Sequence, residues 1–262
     1  MSEAENRSLA YEEKETSLSI RINAHKKFSN FNLEDWIARH VDLKEGSSVF
    51  DIGCGNGNLF QAYSDQIGAR GLIVGMDQSA ELLQEAKKRP CGSLKLLLHK
   101  DMNTGTPFLD ESFDRVFSSF AIYYANDAWS VLQEVFRLLK AGGEVVLIGP
   151  TDNNARELYE FNQKLFGFAR DEKIDRRTRR IEDEFFPLFP KLFKDVSMDR
   201  IASELVFPDK EEFIRYYLAT LLFEESVKKN GGVYDQKKIA AADAGSLKIS
   251  KEMVVLRGKK GV

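Results

Sequence analysis

The sequence is poor in the residues from which metal centres and covalent scaffolds are built. Its 262 residues include only two cysteines, Cys54 and Cys91, and three histidines. That excludes a disulfide framework and argues against a Cys/His zinc site. Neither sign of charge dominates, with 38 Lys and Arg against 41 Asp and Glu for a net charge of −3. A chain so balanced has no general attraction for nucleic acid or for an anionic membrane surface, although a local basic patch is compatible with it. No apolar run approaches the roughly 18–20 residues of a membrane span. The start of the chain, Met1 to Ser19, is polar and rich in Glu, without the basic head and apolar stretch of a secretory signal. The expectation is a cytoplasmic protein with neither a membrane nor a nucleic-acid partner. No internal repeat is visible.

What is present is an ordinary globular composition, 43% hydrophobic and 30% charged. The length suits one large domain, or one domain with a sizeable insertion. Residues 1–16 read as an arm, and helical patterns follow over 18–27 and 33–41. Short apolar strands are then expected at 48–52, 71–76, 94–99, 114–119 and 144–148. Helical patterns separate most of them, at 58–67, 80–88 with Ser79 as N-cap, and 127–140, the last stopped by Ala141-Gly142-Gly143. Apolar strands alternating with helices are what a buried parallel sheet covered on both faces requires. Beyond Pro150 the alternation ends. Residues 154–193 are helical in pattern and carry seven phenylalanines: Phe161, Phe166, Phe168, Phe185, Phe186, Phe189 and Phe193. A strand near 196–205, a helix near 209–225 and a last strand near 247–256 can complete the sheet from its far edge.

Between the first strand and its helix lies Gly53-Cys54-Gly55-Asn56-Gly57. A glycine turn there lets a ligand approach the backbone and meet the positive end of the helix dipole. By itself such a turn serves nucleotides, flavins or simple packing. Three acids sharpen it: Asp51 before the glycines, Asp77 ending the second strand, and Asp101 after the third. In a parallel sheet all three reach the same carboxyl edge, the crevice where doubly wound folds bind ligands.

The chain resembles the class I S-adenosylmethionine-dependent methyltransferases, in particular the small-molecule group related to ubiquinone and menaquinone biosynthesis. The matching text is Val49-Phe50-Asp51-Ile52-Gly53-Cys54-Gly55-Asn56-Gly57, Gly75-Met76-Asp77-Gln78-Ser79 and Lys100-Asp101-Met102-Asn103. It continues through Ser112-Phe113-Asp114-Arg115-Val116-Phe117-Ser118-Ser119-Phe120-Ala121-Ile122 and closes on Glu134-Val135-Phe136-Arg137-Leu138-Leu139-Lys140-Ala141-Gly142-Gly143. Five motifs thus stand in order over about residues 45–150. A dinucleotide enzyme would carry GxGxxG, whereas here Gly57 is followed by Asn58 and Leu59. An acid after the second strand is common to both folds, so Asp77 does not separate them; Asp51, Asp101 and the glycine pattern do.

The resemblance implies a Rossmann-like α/β fold, a mostly parallel seven-stranded sheet with helices on both faces and a helical lid inserted between strands five and six. It divides the chain into 1–45, an N-terminal arm and helices covering the donor; 46–150, the S-adenosylmethionine-binding core; and 151–262, the lid and closing strands of the same domain. It further implies that Asp51 holds the methionyl ammonium while Gly53 and Gly55 give clearance. Asp77 would accept both ribose hydroxyls, and Gln78 would lie along the adenosine. Asp101 would accept from the adenine amine, Met102 would pack on the ring, and Ser118 would offer its carbonyl to the ammonium. Read singly, Asp51 could merely orient the glycine loop, Asp77 could be a helix-terminal charge and Met102 could be core.

The activity so implied is transfer of a methyl group from S-adenosylmethionine to an O, N or C atom of a small molecule, leaving S-adenosylhomocysteine. Displacement at a sulfonium depends mainly on alignment and exclusion of water. Candidate proton-transfer groups are His25, His40, Tyr123 and Tyr124, with Tyr123 and His25 foremost and His40 read as structural; many relatives carry His-His where this chain has Tyr123-Tyr124, which weakens a His-based step at that loop. Asp152-Asn153 resembles half of a magnesium site, but Ser118 stands where the other acid would be, so no metal is expected. The phenylalanines point to an apolar lid over an aromatic or partly hydrophobic acceptor, or else to packing of the insertion on the sheet. The run Arg176-Arg177-x-Arg179-Arg180 suits an acidic substrate or a solvated helix face. A monomer and a homodimer are both compatible. The alternatives are a catalytically silent donor-binding regulator or subunit and an NAD-dependent oxidoreductase.

Overall fold

The computed structural model describes residues 15–262. The expected arm over 1–16 therefore lies almost wholly outside the described residues, and Glu15 and Thr16 already belong to the first helix. The elements are α1 (Glu15–Phe28), α2 (Leu33–His40), β1 (Ser48–Ile52), α3 (Phe60–Ile67), β2 (Leu72–Asp77), α4 (Ala80–Lys88), β3 (Leu94–His99), β4 (Phe113–Ser119), α5 (Ala128–Leu138) and β5 (Leu139–Pro150). There follow α6 (Arg156–Phe166), α7 (Glu172–Arg180), a π-helical turn over Ile181–Phe185, and α8 (Phe189–Leu192). The chain closes with β6 (Lys194–Val206), α9 (Lys210–Leu218), α10 (Leu221–Lys229), α11 (Gln236–Ala241) and β7 (Lys248–Lys259).

The seven strands form one sheet in the order β3-β2-β1-β4-β5-β7-β6. Strands β1 to β5 are parallel, and β7 runs antiparallel to both β5 and β6. The expected mostly parallel, seven-stranded α/β sheet is the one observed, and its last two strands complete it from the far edge.

Burial explains the strand pattern. Val49, Phe50, Ile73, Val74, Val116, Phe117 and residues 145–148 are fully buried, because helices cover both faces of the sheet. One face packs against α5, the π-turn and α8; the other packs against α2, α3 and α4. A third apolar cluster stands beyond the sheet, where α1, α6, α9 and α11 meet the ends of β6 and β7.

Several expectations are corrected. Helix α5 stops at Leu138, two residues early, because Leu139 already pairs with Phe113; the register then shifts until Glu144 meets Arg115. Residues 209–225 are two helices, interrupted where Thr220 N-caps α10 by accepting from the Phe223 amide. Of the two readings of the phenylalanines, packing is the one observed for Phe161, Phe185, Phe189 and Phe193, which are buried. Phe185, Phe189 and Phe193 are buried on the sheet face beside α5, and Phe161 packs edge-on against Phe213 and Tyr217. Aromatic side chains bury large areas, and that is their use here.

Candidate active site

The loop after β1 is folded around its glycines. Gly53, Gly55 and Gly57 all have positive φ, and the Gly53 and Cys54 amides donate to the Met76 carbonyl at 2.7 and 3.0 Å. A Cβ on Gly53 would stand 2.2 Å from Ala121 Cβ, so the residue has neither the dihedral nor the space for a side chain. Parallel register brings the strand ends together: Ile52 pairs with Met76, and Asp77 with His99.

A cavity of about 1640 Å³ opens along this edge. Pockets for a single small ligand usually run to about 300–1,000 Å³, so two molecules have room side by side. Its lower wall contains Asp51, Gly53, Gly55, Asp77, Gln78, Asp101 and Met102, which the sequence had singled out. Ser118 is not among the lining residues. It is wholly buried and its hydroxyl donates to the Ile52 carbonyl at 2.8 Å, while Ser119 takes the place on the wall.

The acids of the wall are in three different states. Asp51 is 2% exposed; its Oδ2 accepts from the Tyr63 hydroxyl at 3.4 Å, and its Oδ1 is buried without a hydrogen-bond partner. Burial pushes its carboxyl up to about 8, against the lowering hydrogen bond from Tyr63, and the nearby charge of Asp77 adds to the rise. Asp77 accepts from the Gly55 amide at 2.8 Å and from the Ser79 amide at 2.9 Å, so one carboxylate ties the glycine loop to the start of α4. Asp101 accepts from the backbone and side-chain nitrogens of Asn103 at 2.9 and 2.7 Å, which fixes the short turn carrying Met102.

The cavity is also lined by Tyr123, on a 3₁₀ turn after β4, and by His25, on α1. Burial holds the Tyr123 phenol well above its ordinary range. Burial, then Lys251 and Arg21, push the His25 imidazole down to about 3, and its Nε2 lies 3.4 Å from the Tyr216 hydroxyl. Both groups are therefore neutral near pH 7. None of the seven phenylalanines lines the cavity. Its upper wall instead takes Tyr159 from α6, Arg177 from α7, Tyr216 from α9, Glu225 from α10 and Lys251 from β7. Apart from Arg177, these residues were not foreseen, since they stand in segments without motif or telling spacing. Among the described residues no group of three or more His, Cys, Asp or Glu is arranged to hold a metal ion.

Residues 50–147 match the family model of the methyltransferase domain. The chain is an S-adenosylmethionine-dependent methyltransferase that resembles the class I enzymes. A relative from Bacillus licheniformis named demethylmenaquinone methyltransferase is 29% identical over 212 residues, 80% of this chain and 81% of that protein. A relative of the same name from Bacillus subtilis is 29% identical over 213 residues, again 80% of this chain and 81% of the other. Among solved structures, a candidate methyltransferase from Bacillus halodurans superposes with a TM-score of 0.58 at 13% identity, covering 88% of this chain and 99% of its own. That likeness concerns the fold.

The arginine run of the methyltransferase is divided by its helix. Arg176 and Arg179 face solvent, and Arg179 pairs with Asp183. Arg180 is 3% exposed; its guanidinium donates to the carbonyls of Tyr123 and Ala125 and to Glu184. Arg177 alone of the four reaches the cavity.

Proposed function

We propose that the methyltransferase holds S-adenosylmethionine along the carboxyl edge of β1 to β3 and methylates an O, N or C atom of a small molecule seated against α1, α7 and the α9–α10 junction. The observation that carries this reading is the Asp51 carboxyl, buried and with one oxygen unpartnered, beside a loop where only glycine fits. A buried acceptor of that kind calls for a donor, preferably cationic, and the methionyl ammonium is one. In this reading Asp51 receives the ammonium, Gly53 and Gly55 admit the methionyl chain, and Asp77 and Gln78 lie at the ribose. Asp101 and Met102 take the adenine. Ser118 acts from behind the wall, by fixing the Ile52 carbonyl. Residues 46–150 thus serve the donor, the helices of 15–45 cover it, with Leu18 3.3 Å from where a Cβ on Gly55 would stand, and 151–262 completes the acceptor wall with α1.

S-adenosylmethionine supplies, when bound, a methyl group on a cationic sulfur open to direct displacement. What the protein contributes is alignment and shelter from water. The Tyr123 phenol, held protonated, is suited to donating a hydrogen bond rather than to removing a proton. His25 is neutral but weakly basic, and suits orientation of the acceptor through its contact with Tyr216. The reaction asks for no metal in this reading. The relatives' name, demethylmenaquinone methyltransferase, points to a quinone-type aromatic acceptor, and an upper wall with Tyr123, Tyr159 and Tyr216 suits a planar ring.

The test is calorimetric and chemical. S-adenosylhomocysteine should bind the wild-type protein, and Asp77→Ala should weaken that binding more than about tenfold, 1.4 kcal/mol. Methyl-labelled donor with a demethylated naphthoquinol should give a labelled aromatic product. Unchanged affinity in a folded Asp77→Ala protein would remove the ribose assignment.

A further inference from the structure

The cavity is lined by groups of both charges, with Lys100 beside Asp101 and with Lys26, Arg39, Glu34 and Asp35 from the first two helices; two sets of them bear on the acceptor. Asp51, Asp77 and Asp101 lie along the strand edge, whereas Arg177, Lys251 and Arg21 lie on the wall formed by α7, β7 and α1. Arg177 is a helix arginine that has left the solvent: its side chain is 15% exposed, its guanidinium carbon stands 5.4 Å from the centre of the Tyr124 ring, and the acid it meets is Glu225, 3.8 Å away. Against the cost of burial, the surroundings of Arg177, Tyr124 and Glu225 foremost, keep it charged, but at 3.8 Å Glu225 makes no hydrogen bond to the guanidinium and leaves its fork of donors open. Lys251 forms no ion pair with any described residue. The two cations belong to one field. Lys251 and Arg21 both bear on His25, and Arg21 and Arg177 both bear on Tyr123.

A desolvated guanidinium and an unpaired ammonium on the wall of a binding cavity are expensive unless a ligand neutralises them. A cationic donor in the same cavity brings a further positive charge. We propose that the acceptor is an aromatic oxyanion, a ring carrying an ionised carboxylate or enolate, whose negative oxygen is held between Arg177 and Lys251 with the ring against Tyr123 and Tyr124. Arg177 presents a planar fork suited to two oxygens, and Lys251 a point charge. Anion recognition then fixes which edge of the ring faces the donor, and so which atom is methylated. This rests on the reading of the cavity as a methyl-transfer site and narrows its acceptor.

The test uses paired probes that share a ring system and differ chiefly in charge: 2-naphthoate against 2-naphthamide, and 2-hydroxy-1,4-naphthoquinone, ionised at pH 7.5, against its methyl ether. Each is titrated into the protein saturated with S-adenosylhomocysteine, whose own binding is measured first. The anion of at least one pair is expected to bind about tenfold or more tighter than its neutral partner, as a charge-assisted contact requires. Arg177→Met and Lys251→Met should each cut that preference to less than about threefold while leaving S-adenosylhomocysteine affinity intact. Which pair responds distinguishes carboxylate from enolate. Equal affinity within both pairs, absence of binding by both anions, or a preference that survives both substitutions overturns the proposal. If a variant fails to fold, the wild-type comparison still decides. Failure of S-adenosylhomocysteine itself to bind would instead strike at the donor-site reading, so the two failures are separable.

Discussion

The Tyr63 hydroxyl donates to Oδ2 of Asp51 across 3.4 Å, and the pair is buried between β1 and α3 at the cavity wall. One weak hydrogen bond does not repay the burial of a carboxylate, and the Asp51 carboxyl is accordingly pushed up to about 8. In the unfolded chain an Asp titrates near 3.9. Between those values the folded protein holds a proton that the unfolded chain has lost, so this residue lowers stability as pH rises from about 4 to 8. Asp51→Asn removes the penalty and keeps an acceptor for Tyr63. The ligand-free variant should be more stable than wild type at pH 8 by about 1–2 kcal/mol, with the gap closing towards pH 4. Its S-adenosylhomocysteine affinity should fall by more than about tenfold. Thermal melts across pH, with calorimetry, check both; a variant less stable at pH 8 contradicts the account.

The glycine loop makes a graded prediction. At Gly53 a methyl group would meet Ala121 Cβ at 2.2 Å, on a backbone with φ of +71. At Gly55 it would meet Leu18 Cδ2 at 3.3 Å, and the far end of a leucine can yield. Left-handed backbone costs a non-glycine residue about 1–2 kcal/mol in either place, but only at Gly53 is a clash added. Gly53→Ala should therefore lose about 3 kcal/mol or more in urea unfolding, and Gly55→Ala about half of that. Equal losses would show that dihedral strain alone governs the loop.

Arg180 and Arg179 are neighbours in sequence and opposites in environment. Arg180 satisfies the Tyr123 and Ala125 carbonyls from a position 3% exposed, whereas Arg179 pairs with Asp183 on the surface. Hydrogen bonds to a charged group are worth about 1.5–3 kcal/mol, and exposed ion pairs about 0–1 kcal/mol. Arg180→Met should cost about 3 kcal/mol, while Arg179→Met should fall within about 0.5 kcal/mol of wild type. Since Arg180 holds the turn carrying Tyr123, it is a positioning residue. Its loss should weaken binding of the acceptor probes more than that of S-adenosylhomocysteine.

The donor half was legible because its requirements are local. Strands β1 and β3 and helix α4 begin and end where apolar runs, the Ser79 cap and the glycines put them. The acids at strand ends then follow from parallel register, and all but Ser118 of the residues singled out there line the cavity. The other half was not legible for a physical reason. Its wall is assembled from small sets of residues on α1, α6, α7, α9, α10 and β7, which are far apart in sequence and share no motif. Composition left a choice open: a dense run of phenylalanines reads equally as a ligand surface or as packing, and here Phe185, Phe189 and Phe193 pack on the sheet. The arginine run could be divided only once the helix rotation was known.

His25 carries the last prediction. Desolvation, helped by Lys251 and Arg21, brings its imidazole down to about 3 from an ordinary 6.5. Below pH 6.5 the unfolded chain takes up a proton that the folded protein refuses, so stability is lost as pH falls from 6.5 towards 3. Each unit of that interval is worth up to 1.36 kcal/mol, and contact with cavity water reduces it, which leaves about 1 kcal/mol at pH 5. His25→Gln keeps a hydrogen-bonding partner for Tyr216 and has no charge to refuse. The difference in stability between wild type and variant should therefore shift in favour of the variant by about 1 kcal/mol between pH 7.5 and pH 5. Asp51 titrates identically in both proteins and cancels. The same shift makes His25 too weak a base to govern turnover near neutrality, so the pH dependence of kcat should show no limb between pH 6 and 7 that His25→Gln abolishes. Such a limb in the wild type, lost in the variant, would restore His25 as the proton acceptor and sink the assignment of an orienting role.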